Sequence, residues 1–254
     1  MPARPGVPAS RWLPVLAAVL LCAGCGASAP GLVYTGGPGS VTGDGLHRVR
    51  WSQMGAEFVR PGARLGGYDR VLIDPLTIAP APEGEKRRMG PTRQYAPTPD
   101  YLDGMRRIYQ ESFVRQFDRG GFSVVSEPGP GVLRISGHVA DLVLTARLDP
   151  EGQTTTREFV RGFGELTLLL EVRDSVSGET LLRTVDRQPI ARDPVAGAAV
   201  NSTGANLSAQ RLLFANQALL LHQRLAELRA MGTSPETPPA GAAPVVGRRQ
   251  PRPK

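Results

Sequence analysis

Between residues 70 and 121 the hydrophobic pattern predicts a strand followed by a helix. Residues 70–74 form a short β-branched run that Pro75 ends, which is typical of a buried strand. A helix is predicted from Pro99 to Arg119, because apolar residues recur along one face at three- and four-residue spacing: Leu102, Met105, Tyr109, Phe113 and Phe117. Gly120 and Gly121 end this helix, since glycine readily takes the left-handed conformation.

After residue 121 the pattern alternates with a period of two and then returns to helical spacing. Strands are predicted at residues 122–126, 132–144, 165–173 and 180–185, with alternate apolar side chains on one face. A tight loop from Asp174 to Gly178 joins the last two as a hairpin. A second helix is predicted over residues 207–231, with one apolar stripe: Phe214, Ala218, Leu221, Leu225 and Leu228.

The element order β-α-β-β-β-β-α predicts an α+β fold. We expect a mixed, largely antiparallel sheet with two packed amphipathic helices, in a single domain over residues 46–232. The order of strands within the sheet does not follow from this pattern. Residues 25–45 are rich in Gly, Ser and Pro and predict a flexible linker. Residues 233–254 are Pro- and Ala-rich and basic, and predict a disordered tail.

The first 24 residues have the layout of a lipoprotein signal peptide. Arg4 and Arg11 form a positive segment, residues 12–21 are apolar, and two small residues precede Cys25. This apolar run has about half of the roughly twenty residues that a membrane-spanning helix needs. The segment resembles a bacterial lipobox, which implies lipidation of Cys25 and cleavage before it. One departure is Cys22, which stands where lipoboxes usually have leucine.

Composition excludes several kinds of site. The chain has two cysteines, both in the signal region, so the mature chain would have no disulfide and no thiolate metal site. The formal net charge is +7, but the excess lies mostly in the signal segment and the tail. A nucleic-acid partner would require a basic face on the domain itself, and none is evident. We therefore expect no nucleic-acid partner, no metal and no cofactor.

A long Pro-rich connection over residues 79–98 is the main candidate for ligand binding. Its cationic residues are Lys86, Arg87, Arg88 and Arg93, which together could hold a phosphate or carboxylate. A charge run of this kind is more often a solvated loop, so both interpretations stay open. His138 shares a strand face with Arg134 and Ser136, and a lone histidine seldom forms a metal site.

No catalytic motif occurs in the sequence. Nucleophile elbows, phosphate-binding loops and paired-histidine metal motifs are missing, and the glycines near residue 40 do not fit a dinucleotide fingerprint. Asp141, Glu165 and Glu171 could form an acid/base pair but are better explained as sheet surface. His222 is expected on the polar face of the second helix. We therefore predict a protein that is not an enzyme.

An ordered set of segments resembles a known bacterial family. It comprises the lipobox, the strand at residues 68–75, the turn-to-strand at 128–134, the strand and turn at 166–179, and the closing helix. Together these resemble the lipoproteins grouped as domain of unknown function 3313. The resemblance implies an envelope lipoprotein with no established activity, and therefore no family site residues. More loosely, the chain is similar to small lipoproteins that serve as auxiliary subunits of transport or secretion assemblies.

Three functional hypotheses follow. The first is a non-enzymatic envelope lipoprotein, held at the membrane by the lipid on Cys25, whose domain binds an envelope protein. The second is an auxiliary subunit of a transport or secretion complex. The third is an anion-binding or hydrolytic protein that uses the loop at residues 79–98. In lipoprotein sorting an aspartate after the lipidated cysteine retains the protein at the inner membrane, so Gly26 predicts the periplasmic face of the outer membrane.

Overall fold

Strands make up one layer of this protein and helices the other. The structure, a computed structural model, describes residues 32–79, 94–147, 158–191 and 198–236. In these ranges the elements are β1 His47–Arg48, β2 Ala56–Val59, β3 Arg70–Ile73, β4 Thr77–Ile78, α1 Pro99–Arg119, β5 Ser123–Val125, β6 Val132–Leu144, β7 Phe159–Val160, β8 Gly164–Asp174, β9 Thr180–Ile190, β10 Ala199–Val200 and α2 Thr203–Met231.

The main sheet has the strand order β1-β2-β9-β8-β6-β3-β5, and β4 pairs with the later part of β6. The neighbouring pairs β1–β2, β2–β9, β9–β8 and β8–β6 are antiparallel. The pairs β6–β3, β3–β5 and β6–β4 are parallel. β7 and β10 form a separate two-stranded ribbon. The predicted α+β class, with a mixed and mostly antiparallel sheet, is confirmed.

Both helices pack on one face of the sheet and form the core with it. The stripe predicted on α1 is buried there, and the ring of Tyr109 meets Phe214 of α2 edge-on at 5.7 Å. From the sheet, the alternate residues of β6 and β8 point into the same core, as predicted: Leu133, Ile135, Val139, Leu166, Leu168, Leu170 and Val172. Each fully buried large apolar side chain contributes about 1.5–3 kcal/mol.

Capping residues determine where the helices begin and end. The Thr98 hydroxyl accepts a hydrogen bond from the Tyr101 amide, and α1 ends at Gly120. α2 starts at Thr203, four residues before the predicted position, because the Ser202 hydroxyl accepts from the Ala205 amide. Gly232, at φ 75°, ends α2 as predicted.

The ordered domain begins earlier in the chain than predicted. Leu32 and Tyr34 are buried in the core, and Tyr34 forms a β-bridge with Val49. The predicted flexible linker is therefore wrong for residues 32–45, because two large apolar side chains bind this glycine-rich stretch to the domain. Residues 25–31 of that prediction lie outside the described residues.

The first residues of the predicted tail also belong to the domain. Ser234 is buried; its hydroxyl donates to the Arg60 carbonyl and accepts from the Ala63 amide. Thr233 forms a bridge with Arg64. Tail residues 237–254 lie outside the described residues.

Candidate functional site

A depression lies beside the carboxyl ends of the parallel strands β3 and β5. It has a volume of about 750 Å³ and is lined by Leu72, Ile73, Asp74, Pro75, Gln110, Val124, Val125, Ser126, Pro128 and Arg134. The edge at the carboxyl ends of parallel strands is where open α/β sheets commonly bind ligands. We call it the carboxyl-end depression.

Asp74 is held in this depression by its neighbours on β6. Its carboxylate accepts from Arg134 Nε at 2.8 Å and from the Ser136 hydroxyl at 2.6 Å. Burial alone would raise the pKa of Asp74, but these hydrogen bonds outweigh burial and lower it below the ordinary value. Asp74 is thus a paired, ionised carboxylate rather than a proton donor.

Gln110 and Ser126 are the other polar side chains that line the depression. The Gln110 Nε2 lies 3.5 Å from the carbonyl oxygen of Ile73, and its Oε1 is buried without a hydrogen-bond partner among the described residues. The depression therefore offers one amide acceptor, one serine hydroxyl and one Asp–Arg pair. This set can bind a small polar group, but it contains no nucleophile with an adjacent base.

The sheet face opposite the helices has an apolar strip across four strands. Ala56, Val185, Leu169 and His138 are cross-strand neighbours in consecutive strands. All four are half-buried, and none belongs to the hydrophobic core. Among the described residues both helices lie on the other face. We call these four residues the open-face strip.

A row of ion pairs runs beside the open-face strip. Arg183 donates through Nε to Glu171 Oε1 at 2.7 Å and through Nη2 to Asp44 Oδ2 at 2.8 Å, and Arg173 also contacts Glu171. Hydrogen bonds from Arg183 and Thr42 lower the pKa of Asp44 to about 2. Glu171 lies on the predicted polar face, but its side chain is only 8% exposed, so it was wrong to assign it to the sheet surface.

A second polar cluster is buried between the sheet and α2. Arg224 Nε lies 2.7 Å from Glu57 Oε1, and Glu57 is completely buried. Nearby, the Gln217 side chain donates to Asp186 Oδ2 at 3.1 Å. These groups are paired with each other between the sheet and α2, and Arg224 lines only a small pocket of about 30 Å³, so they are part of the core and not a ligand site.

The structure describes some of the candidate residues from the sequence and not others. Cys25 and the cationic residues Lys86, Arg87, Arg88 and Arg93 lie outside the described residues, so their roles stay predictions. His138 lies on the open face, as predicted, and its Nδ1 contacts the Thr77 hydroxyl. Among the described residues no three His, Cys, Asp or Glu side chains are grouped as metal ligands would be.

His222 was wrongly placed on a polar face. Its ring lies 5.6 Å from Phe117 and 5.7 Å from Phe122, and its Nε2 lies 2.8 Å from the Gly120 carbonyl oxygen. The histidine therefore packs α2 against the carboxyl end of α1. Sequence periodicity missed this contact because His222 is adjacent to the stripe rather than on it.

The depression was missed at the sequence level for a topological reason. Asp74 and Arg134 are sixty residues apart, and only the parallel pairing of β3 with β6 brings them together. The one local signal was the position of Asp74 directly after a buried strand.

The described helices provide no membrane span, since none of them is both long and apolar enough to cross a bilayer.

The sequence model of the family described as "Protein of unknown function (DUF3313)" matches residues 44–205. No curated protein matches the chain significantly.

Solved structures with a similar arrangement share little sequence with this chain. The PelC dodecamer from Paraburkholderia phytofirmans is 18% identical, with a TM-score of 0.31, over 65% of this chain and 97% of that chain. A neuraminyllactose-binding hemagglutinin homologue from Helicobacter pylori is 14% identical, with a TM-score of 0.34, over 67% and 89%. A minor lipoprotein from Acinetobacter baumannii is 11% identical, with a TM-score of 0.25, over 66% and 97%. These likenesses are too distant to assign a function to this chain.

Proposed function

Because this chain belongs to the DUF3313 family, whose function is unknown, we propose its role from its own residues: a lipid-anchored, non-catalytic protein of the bacterial envelope that binds a partner protein. The observation that carries the proposal is the lipobox-like sequence at Cys25, seven residues before Leu32, which is the first described residue and is buried in the domain. Acylation of Cys25 would hold this domain at a membrane surface. Gly26 favours the periplasmic face of the outer membrane.

The chemistry of the carboxyl-end depression supports a non-catalytic role. Acid–base catalysis needs groups whose protonation changes near the working pH. Of the residues that line the depression, the ionisable ones are Asp74 and Arg134, and they neutralise each other. The low pKa of Asp74 keeps it charged at neutral pH, so it is a poor proton donor.

The open-face strip supports partner binding. Protein interfaces commonly have an apolar centre inside a polar rim. Leu169 and Val185 form such a centre, and the ion pairs of Arg183 with Glu171 and Asp44 form a pre-ordered rim beside it. Since both charges of each rim pair are already matched, a partner can cover them without leaving a charge unpaired.

The anchor is tested by comparing the wild-type chain with Cys25→Ala after expression in a Gram-negative host. We expect a lipid mass increment on the wild-type N-terminal peptide and recovery of the wild type in outer membranes. Cys25→Ala should lose both. An unmodified wild-type protein in the soluble periplasmic fraction would contradict the proposal.

Partner binding is tested by photo-cross-linking in intact cells. A photoreactive phenylalanine at position 169 samples the open-face strip, and the matched control is the same residue at position 212, a leucine that is 51% exposed on α2. We expect a discrete protein adduct from position 169 and none from position 212. Adducts from neither position, with both variants lipidated, would rule out the open face as the binding surface.

A further inference from the structure

Trp51 is unusual in both its exposure and its backbone conformation. Its side chain is 79% exposed, and its φ of 55° makes it the one non-glycine residue with positive φ in the described ranges. A bulky residue in this conformation is a genuine outlier and costs free energy. Because Trp51 makes no contribution to the hydrophobic core, the fold does not account for its presence.

The residues around Trp51 form a small cationic and apolar surface. The guanidinium carbon of Arg50 lies 4.7 Å from the centre of the Trp51 ring, and the Arg50 amide donates to the Val33 carbonyl at 2.8 Å. Val33 is 43% exposed, and Arg48 and Arg50 are exposed as well. We call Val33, Arg48, Arg50 and Trp51 the N-terminal corner. Neither arginine has a carboxylate within ion-pair distance among the described residues.

The N-terminal corner lies close in sequence to Cys25, the proposed lipidation site. Leu32, the first residue that the structure describes, is buried; it is adjacent to Val33 and only seven residues after Cys25. Seven residues span at most about 25 Å when fully extended. With Cys25 acylated, the N-terminal corner is therefore held within that distance of the bilayer.

The C-terminal end of the described domain lies near Tyr34, which is the residue after Val33. Ser234 and Glu236 are close enough to the Tyr34 hydroxyl to influence its pKa, which burial raises. From Glu236 the chain continues into the tail, which contains Arg248, Arg249, Arg252 and Lys254. The last described residues thus lie near Tyr34, which is adjacent in sequence to Val33 of the corner.

We propose that the N-terminal corner is a membrane-contact site that inserts Trp51 at the headgroup level of an anionic bilayer. Tryptophan prefers this interface, because its ring is apolar and its N–H is polar. Arginine stems lie along apolar surface while their guanidinium groups reach the phosphates. A contact beside the acylated cysteine would add to the attachment that acylation gives and would orient the domain at the membrane surface. The inference rests on the proposed lipid anchor.

The mature chain provides its own probe for this contact. The full sequence has two tryptophans, and cleavage before Cys25 would remove Trp12 and leave Trp51 as the only one. Purified wild-type lipoprotein is reconstituted into vesicles of phosphatidylethanolamine and phosphatidylglycerol. We expect a blue-shifted Trp51 emission, quenching by lipids brominated near the headgroup, and protection from aqueous acrylamide. A water-like emission that acrylamide quenches freely would overturn the inference.

Charge variants test the role of the two arginines. Arg48→Glu and Arg50→Glu should each increase the fraction of protein released from the vesicles, by about five-fold if each arginine contributes as basic residues near anionic lipids do. The matched control is Arg115→Glu, an exposed arginine on α1, which should release no more protein than wild type does. If all three variants were released from the vesicles to the same extent, membrane contact would not depend specifically on Arg48 and Arg50.

The same samples distinguish the two proposals. A lipid on Cys25 together with an acrylamide-accessible Trp51 means that the anchor is correct and the corner is not. If mass analysis finds no lipid, the anchor fails. Flotation of the unacylated mature chain with anionic vesicles, lost in Arg50→Glu, would then still support the corner, and lack of flotation would reject it.

Discussion

The ring of Tyr109 lies against the backbone of Gly137 so closely that a Cβ at residue 137 would be 2.8 Å from the phenol oxygen. Gly137 lies in the middle of β6 on the core face, and Tyr109 lies in the middle of α1. This contact fixes the height of α1 above the sheet. It gives the glycine in an otherwise apolar strand a packing function.

Gly137→Ala should therefore destabilise the protein. Real Cβ atoms do not approach other atoms this closely, so the Tyr109 ring or the helix that carries it must shift, at a cost of about 1–3 kcal/mol in the free energy of unfolding. Urea denaturation followed by circular dichroism measures the change. The control is Gly104→Ala in α1, where a Cβ meets nothing within 4 Å, and which should gain up to about 1 kcal/mol. An unchanged midpoint for Gly137→Ala would contradict the packing.

Arg224→Met should destabilise the protein by leaving Glu57 buried without its counter-charge. Breaking a buried ion pair from one side typically costs about 3–5 kcal/mol. Replacing both partners, as Glu57→Leu with Arg224→Met, should recover most of that loss, because no charge is then buried. Urea denaturation of both single variants and the double variant measures the coupling. A double variant whose loss of stability equals the sum of the two single losses would show that the pair is not coupled.

Asp44→Asn should change the stability of the protein in a pH-dependent way. The pKa of Asp44 is about 2 in the folded protein and 3.8 in its ordinary state. Its ion pair with Arg183 therefore stabilises the fold fully above about pH 4 and loses that effect as the pH falls through about 2.

Asp44 is 40% exposed, so solvent screening keeps the difference between wild type and Asp44→Asn below about 1 kcal/mol at neutral pH. The difference should shrink between pH 4 and pH 2 and also in about 1 M salt, where the Debye length is about 3 Å. Thermal unfolding over this pH range measures it. A difference that grows as the pH falls would have the wrong sign for this pair.

Trp51→Gly should stabilise the isolated domain. Glycine takes positive φ without the steric cost that tryptophan bears, so we expect a gain of about 1 kcal/mol in the free energy of unfolding. The reverse change is Gly178→Ala, at φ 73° with nothing near its Cβ, which should lose about 1 kcal/mol. A loss of stability in Trp51→Gly would mean that the tryptophan supports the fold after all.

The long elements could be predicted from the sequence because their periodicity extends over many residues. β6, β8, α1 and α2 each repeat one spacing for ten residues or more. β1 and β2 were missed, since strands of two and four residues are too short to display a period. The position of β2 depends on its pairing with β9, which is a long-range contact, and β1 in turn pairs with β2.

The extension of β9 was missed for a different reason. The strand runs to Ile190, beyond the predicted end at Val185, through the polar residues Asp186 and Gln188. Asp186 faces the core there because the Gln217 and Gln188 side chains both donate to its Oδ2. A polar residue on a buried strand face can be recognised only when its partner on a distant helix is known.

The position of Ser234 against Arg60 and Ala63 has a practical consequence for labelling the protein. A reporter or affinity handle fused directly after Glu236 would emerge near Tyr34 and the proposed membrane-contact corner. If the domain is anchored there, the handle would compete for space with the lipid surface. The region after Ile190 is preferable, since β9 carries the chain along eleven residues, or roughly 35 Å, away from Thr180, whose carbonyl oxygen Arg60 binds. A handle inserted after Ala191 would therefore start far from Tyr34 and from the proposed corner, so it is the better position from which to test the two proposals.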